Sequence, residues 1–227
     1  MSCYAFIFAR SGSKRLKNKN LKIFNGKPLV THSIVAAKKV KEIKKIFVST
    51  DSIQISKLAL KLGATVIKRP KYLCNSSSNE LLSWQHAVRW VEKNVSSFQK
   101  FVSLPATSPL RSTVDIISSV KKLNKKCDVV ITYTNAKNSP WFNMLKKKGK
   151  YMNLALHGKP IFRFQDTPKL YNMCTVAYVS SPKYILNTKN LFAGKVTGNY
   201  IPIERSIDID TKFDLKIAKL LIRKNEK

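Results

Sequence analysis

At 227 residues, 44% of them hydrophobic and 24% charged, the chain has the length and composition of an ordinary globular protein, which excludes a disordered polymer, a fibrous repeat and a small stapled domain. Forty-three Lys and Arg against twelve Asp and Glu give a formal charge of +31, so anionic partners come to the fore: nucleic acid, a membrane surface or phosphorylated small molecules. The lysines run along the whole chain in pairs such as Lys38-Lys39 and Lys121-Lys122, without the interleaved aromatics on which single-strand binders stack bases, so much of the excess reads as solvated surface and no specific nucleic acid is expected.

The chain opens on an apolar run, Tyr4 to Phe8, read as a strand covered on both faces. It empties into a loop of small and basic residues, Ala9 to Asn20. A helix is predicted over Pro28–Val40, a second strand over Lys45–Thr50, and a helix over Ile53–Leu62 that Asp51 or Ser52 can cap and Gly63 can end. Ala64–Lys68 gives a third strand. A polar run at 75–79 precedes a clearly periodic helix, about Glu80–Asn94, with Leu81, Trp84, Ala87, Val88 and Val91 facing inward. Phe101–Leu104 is a strand followed by a turn-rich loop to Arg111. Ser112 or Thr113 caps a helix to about Leu123, and Asp128–Tyr133 is another buried strand.

Strands this far apart, joined by helices, call for crossovers and a mostly parallel twisted sheet flanked by helices, an α/β fold in a single domain over 1–227. The alternation lapses at about 138–170, where Pro140-Trp141 and a KKKGK turn at 146–150 suggest a β-rich excursion or lid. Tyr171–Ser180 reads as a strand, Tyr184–Asn187 as a short helix or turn, Asn199–Ile203 as a short strand and Lys212–Arg223 as a closing amphipathic helix.

Four cysteines at 3, 74, 127 and 174 form no CxxC pair, so neither a zinc site nor a disulfide framework is indicated, and reduced thiols in a cytoplasmic protein are expected. No apolar run approaches the roughly 18 residues of a membrane-spanning helix. His32, His86 and His157 have no metal-ligand spacing, and no GxSxG elbow is present.

Chemistry concentrates at the two ends of the chain. In the first loop, Ser11, Gly12 and Ser13 permit close approach of backbone N–H groups to a ligand, and Arg10, Lys14, Arg15, Lys17 and Lys19 supply charge for phosphates. There is no GxGxxG and no GxxxxGK[ST], and the same residues also suit a plain basic surface loop. Near the other end, Asp208 and Asp210 alternate with Ile207 and Ile209. On an extended segment the two acids point the same way and offer two hard oxygen ligands, as Mg²⁺ carried with a nucleoside triphosphate prefers. Surface acids balancing the lysines, or an N-cap at Asp210, are the competing readings.

Four blocks in order resemble the acylneuraminate cytidylyltransferase (CMP-sialic acid synthetase) family: FARSGSKRLKNKN at 8–20, VSTDS at 48–52 with KRP at 68–70, LPATSPLR at 104–111 and SIDIDTKFDL at 206–215. The resemblance implies an α/β nucleotidyltransferase fold, a homodimer formed through the inserted region at about 138–170, which reaches into the neighbouring subunit's site, and Mg²⁺-dependent transfer of CMP from CTP to an anionic 2-keto sugar acid. It makes Arg10, Ser13, Lys14, Lys19 and Asn20 the CTP-binding loop, with Arg10 and Lys14 catalytic beside the phosphates, and sets Arg69 at the cytidine side. Thr107, Ser108 and Arg111 would border the sugar and nucleotide sites, Arg163 and Tyr171 would contact the sugar, and Asp208 and Asp210 would be catalytic Mg²⁺ ligands.

The chain departs from the family pattern where Phe8 replaces a proline, a change expected to touch strand packing. Pro105-Ala106 stand where the family has Gln-Pro, and Cys174-Thr175-Val176-Ala177-Tyr178 where it has Asn-Gly-Ala-Ile-Tyr. Both changes fall on sugar-contacting positions, which implies a retained CTP half and an altered acceptor half, suited to another nonulosonate such as a legionaminate-like or pseudaminate-like sugar. A CTP-using relative with a different acceptor, a Kdo-type sugar or a phosphonate, and a basic nucleic-acid binder without catalysis are the alternatives.

Overall fold

A computed structural model describes residues 2–13, 15–75 and 78–225. Strand β1, Cys3–Phe8, is the hub of the sheet. Two-residue strands β2 (Ile23–Phe24) and β3 (Lys27–Pro28) form a small antiparallel ribbon ahead of helix α1, Leu29–Lys38. Then come β4 (Ile43–Thr50), α2 (Ile53–Lys61), β5 (Thr65–Lys68), α3 (Glu80–Asn94), β6 (Lys100–Ser103), α4 (Thr113–Lys122) and β7 (Val129–Asn135). The excursion carries a hairpin of β8 (Leu145–Lys148) and β9 (Tyr151–Leu154), turned at Gly149 with φ 61°. The chain closes with β10 (Tyr171–Ser180), α5 (Pro182–Asn187), β11 (Val196–Tyr200) and α6 (Lys212–Asn225).

The main sheet has the order β11-β7-β10-β6-β1-β4-β5. Strand β1 pairs in parallel with β4 and β6, β4 with β5, and β7 with β11, while β10 alone runs antiparallel, wedged between β6 and β7. The mostly parallel α/β expectation holds, and β10 supplies its one reversal. Both faces are covered, which explains why the strands read as continuous apolar runs. The period-2 alternation sorts β1 by size. Cys3, Ala5 and Ile7 pack on one side with Val30, Ile34, Val48, Val102 and Ile116, against α1, α2 and α4. On the other side Tyr4 and Phe6 join Phe47, Phe101, Trp84 and Tyr178 in an aromatic layer under α3 and α5. Phe6 stacks on Phe101 at 4.6 Å and on Phe47 at 5.3 Å between ring centroids, offset pairs that add modestly to the burial of their area.

Two local expectations are corrected. The final strand lies at Val196–Tyr200 rather than Asn199–Ile203, because its pairing with β7 begins opposite Val129 and ends opposite Tyr133. The SIDID segment belongs to no sheet. It is held instead by the Ile209 N–H donating to the Thr107 carbonyl at 2.8 Å, and by Ile209 and Ile207 packing with Leu16, Phe24, Leu29 and Ala218. A membrane-crossing role finds no helix long and apolar enough among the described residues.

Candidate active site

The parallel strands β1, β5 and β6 end at one edge of the sheet, where loops leave crevices open to ligands. A cavity of about 560 Å³ lies there, within the range that small-ligand sites occupy. Arg10, Ser13, Lys19, Asn20, Arg69, Thr107, Asp208 and Asp210 all line it, so eight of the residues singled out from the sequence share one enclosure. Lys14 lies outside the described residues.

The loop after β1 is shaped by hydrogen bonds from three directions. The Ser11 N–H donates to Asp51 Oδ1 at 2.8 Å and the Ser11 hydroxyl to Asp51 Oδ2 at 2.5 Å. Burial alone would raise the Asp51 carboxyl, but the Ser11 donors outweigh it and hold the pKa below its ordinary value. Buried Asn20 donates from Nδ2 to the Arg10 carbonyl at 3.0 Å, and Arg10 itself reaches the Cys74 carbonyl at 3.1 Å. Asp51 and Asn20 therefore set the loop's path, and Arg10 and Lys19 bring charge to the cavity. Asn20 lines the wall, but the contact it makes is to the loop backbone.

The two aspartates have unlike surroundings. Asp210 is an ion-pair hub, with Lys19 Nζ at 2.6 Å from Oδ1 and Arg15 Nη1 at 2.9 Å from Oδ2, and the Lys19 bond above all holds its carboxyl below the usual range. It does not cap α6. Thr211 and Asp214 do that, with Asp214 Oδ2 accepting from the Thr211 N–H at 2.7 Å and the Asp214 N–H donating to the Thr211 hydroxyl at 3.2 Å. Asp208 Oδ1 is buried and has no hydrogen-bond partner. A buried carboxylate oxygen left unpaired costs on the order of 1–3 kcal/mol, so its retention beside a ligand cavity fits a cation ligand. Among the described residues no group of three or more His, Cys, Asp and Glu is placed to hold a metal. A donor set of one or two carboxylates suits Mg²⁺, which keeps several waters and takes substrate phosphates.

Several wall residues were not anticipated, and three of them bear on the chemistry. Phe8, expected to affect packing, does so against Phe6 and Trp84, and also reaches the cavity. Thr175 faces the cavity and its hydroxyl bonds Ser108 Oγ at 2.7 Å, so a polar atom remains in the stretch that lost the family's asparagine. Glu80, at the first position of α3, is the third acid of the cavity. Its sequence context reads as a helix N-terminal acid after the Asn79 cap, and its rarity in a chain of twelve acids was the available signal. Enclosure raises the Glu80 carboxyl above its ordinary pKa, helped by the field of Asp208 and opposed by the Trp84 indole and Arg69.

Four predicted residues do not line the cavity. Ser108 is fully buried and supports Thr175. Arg111 is 7% exposed, donates from Nη1 to Ser33 Oγ at 2.7 Å and bonds the Pro105 carbonyl, so it buttresses the wall from behind. Burial pushes its pKa down, opposed by the fields of Asp208 and Asp115, and a guanidinium so basic stays charged. Arg163, on the excursion, forms a two-pronged pair with Asp166 at 2.8 and 2.9 Å, and Tyr171, at the start of β10, packs edge-on against Tyr133.

Comparison with known proteins gives a consistent picture. Residues 4–139 match the family model described as Cytidylyltransferase. The chain is 34% identical over 221 residues to the post-translational flagellin modification protein B of Campylobacter coli, covering 96% of this chain and 93% of that one. It is 33% identical over 220 residues to the CMP-N,N'-diacetyllegionaminic acid synthase of Campylobacter jejuni, covering 95% and 93%. In structure it resembles a CMP:2-keto-3-deoxy-manno-octonic acid synthetase complexed with CTP, with a TM-score of 0.73, 15% identity and coverage of 99% and 100%.

Proposed function

Since the chain belongs to the cytidylyltransferase family, we propose that it transfers CMP from CTP to a 2-keto sugar acid of the nonulosonate class, giving a CMP-sugar and pyrophosphate. The observation that carries this reading is the single cavity in which the basic loop and the aspartates meet, because a triphosphate of about four negative charges needs both cationic donors and a metal ion. The relatives named for legionaminate activation, and the apolar Pro105-Ala106 in the wall, favour an acceptor with fewer hydroxyls to satisfy than sialate. The protein would act in the cytoplasm.

In this scheme Arg10 and Lys19 steady the β- and γ-phosphates, joined by Lys14 on sequence grounds. Asp51 and Asn20 hold the loop that presents those donors, so the cost of organising it is met on folding rather than in the reaction. Asp208 and Asp210 would hold Mg²⁺, Asp208 with its unpaired Oδ1 and Asp210 by exchanging a cationic partner. When bound, the ion supplies charge neutralisation and lowers the pKa of a coordinated hydroxyl or water. Thr107 and Thr175 offer hydroxyls to the acceptor. The acceptor's anomeric oxygen attacks the α-phosphorus in line, the bond from that phosphorus to the bridging oxygen breaks, pyrophosphate leaves, and the hydroxyl proton passes to solvent.

Arg163 and Tyr171 fit this scheme as sugar contacts delivered to the neighbouring subunit's cavity. Support comes from their position on or beside the excursion, where Tyr151, Met152 and Phe162 are exposed, Phe162 at 86%. The test is pyrophosphate release with CTP and Mg²⁺ across legionaminate, pseudaminate, sialate and Kdo. Release with a nonulosonate is expected, and no release with any acid of the panel would overturn the assignment.

A further inference from the structure

The reaction scheme leaves Glu80 without a task, although it is a carboxylate in a cavity built for an anion. Its place decides what it can touch. Along the sheet edge the order is β6, β1, β4, β5. The aspartates sit beside the Thr107 loop after β6 and the phosphate-facing cations follow β1, whereas Arg69 follows β5, two strands farther on. At about 4.8 Å per strand that is roughly 10 Å from the end of β1, the reach from a nucleotide's phosphates to its base.

Arg69 and Glu80 are held together by α3. Arg69 is 8% exposed, Nη2 is fixed on the Ser83 hydroxyl one turn into α3, and Nε is buried with no partner. Glu80 stands three residues earlier on the same helix, Oε1 taking the Trp84 indole N–H at 3.3 Å and Oε2 having no hydrogen bond among the described residues. A carboxylate beside the triphosphate needs a cation between them, as Asp208 and Asp210 would have; Glu80 takes the Trp84 indole N–H and forms no ion pair among the described residues, so it suits an uncharged part of the ligand that is rich in donors.

We propose that Glu80 reads the base of the nucleotide, accepting a hydrogen bond from the exocyclic amine of cytosine while the Arg69 guanidinium donates to the ring's acceptors. This rests on the CTP-dependent reading above and names the residue that makes it CTP rather than UTP. Cytosine shows a donor at position 4 and acceptors at N3 and O2, the complement of a carboxylate next to a guanidinium. Uracil shows a carbonyl at position 4 and an N–H at position 3, so the carboxylate would face an acceptor and lose its bond. A side chain that can both donate and accept relieves that clash, which makes Glu80→Gln the informative change.

The experiment measures binding of CTP and of UTP by calorimetry in the presence of Mg²⁺ and without acceptor, for the unaltered protein, Glu80→Gln and Glu80→Ala. The unaltered protein should prefer CTP, and both variants should lose about 10- to 100-fold of that preference, chiefly through weaker CTP binding in Glu80→Ala and improved UTP binding in Glu80→Gln. Variants that bind CTP with the original preference over UTP would overturn the inference, including the case in which only the KM for the sugar acid changes. An unaltered protein that binds neither nucleotide would instead overturn the CTP reading itself. Circular dichroism spectra matching the unaltered protein confirm that the isosteric Gln variant is folded.

Discussion

Lys19 and Asp210, 191 residues apart in the chain, meet at 2.6 Å on the wall of the cavity. The pair joins the loop after the first strand to the segment before the last helix, and it leaves Asp210 compensated by cations while Asp208 keeps an unpaired buried oxygen.

That asymmetry predicts different behaviour for the two aspartates. If Asp208 holds Mg²⁺ as proposed, Asp208→Asn should lower kcat/KM about 100-fold or more at every Mg²⁺ concentration, because the orphaned oxygen would be the ion's ligand. Asp210→Asn should raise the Mg²⁺ requirement and recover in part at high Mg²⁺, since its neighbours Lys19 and Arg15 remain. Mg²⁺ titrations of pyrophosphate release check both, and near-normal turnover of Asp210→Asn at limiting Mg²⁺ would remove its metal role.

Asp51 touches the Ser11 end of the loop and stands at the exposed end of β4. Asp51→Ala should cost no more than about 0.5 kcal/mol of stability, as expected for a surface site. The loop loses two positioning bonds, so kcat/KM for CTP should fall about tenfold. Steady-state kinetics beside a thermal melt separate the two effects; an unchanged KM and kcat would show that the loop holds its shape alone.

Acid stability should depend on Asp115, which is 3% exposed, closes the capping box of α4 with Ser112, and takes two bonds from Arg205 at 2.9 Å. Burial would raise its pKa, but the Arg205 and Ser112 donors outweigh that, and the folded value lies below the unfolded one. A depressed carboxyl contributes stability that is present above the unfolded value, about 3.9, and is lost as pH falls below it through the folded value. Arg205→Ala should cost about 1–2 kcal/mol near neutral pH, discounted because Arg205 is partly exposed, and should lower Tm by ~2–8 °C. The difference should shrink below about pH 4 as Asp115 protonates. Melts from pH 3 to 7 measure it, and a pH-independent difference would mean that charge is not the cause.

The excursion makes its own forecast. Exposed Tyr151, Met152 and Phe162 would be covered by a second copy, so Phe162→Asp should weaken self-association at least tenfold in sedimentation equilibrium while leaving the monomer's melting temperature unchanged. A monomer at all concentrations for the unaltered chain would overturn the homodimer.

Sequence alone determined the elements whose pattern is local. The helix at Glu80–Asn94 and the strand at Tyr171–Ser180 occupy the predicted ranges, because a 3.6-residue apolar period or a continuous run of strand-forming residues is fixed by near neighbours, and Ser52 and Ser112 cap the helices they precede. The basic loop and the twin acids were legible for the same reason. Only the tertiary structure decided which of them meet. The order of the strands carries Lys19 to Asp210, seats β10 antiparallel between β6 and β7, and sends Arg111 behind the wall and Glu80 into it. Those outcomes depend on pairing between segments far apart in the chain, for which a linear pattern of apolar and charged residues holds no register; the difference between a buried orphan oxygen on Asp208 and an ion-paired Asp210 exists only once the sheet has brought their neighbours together.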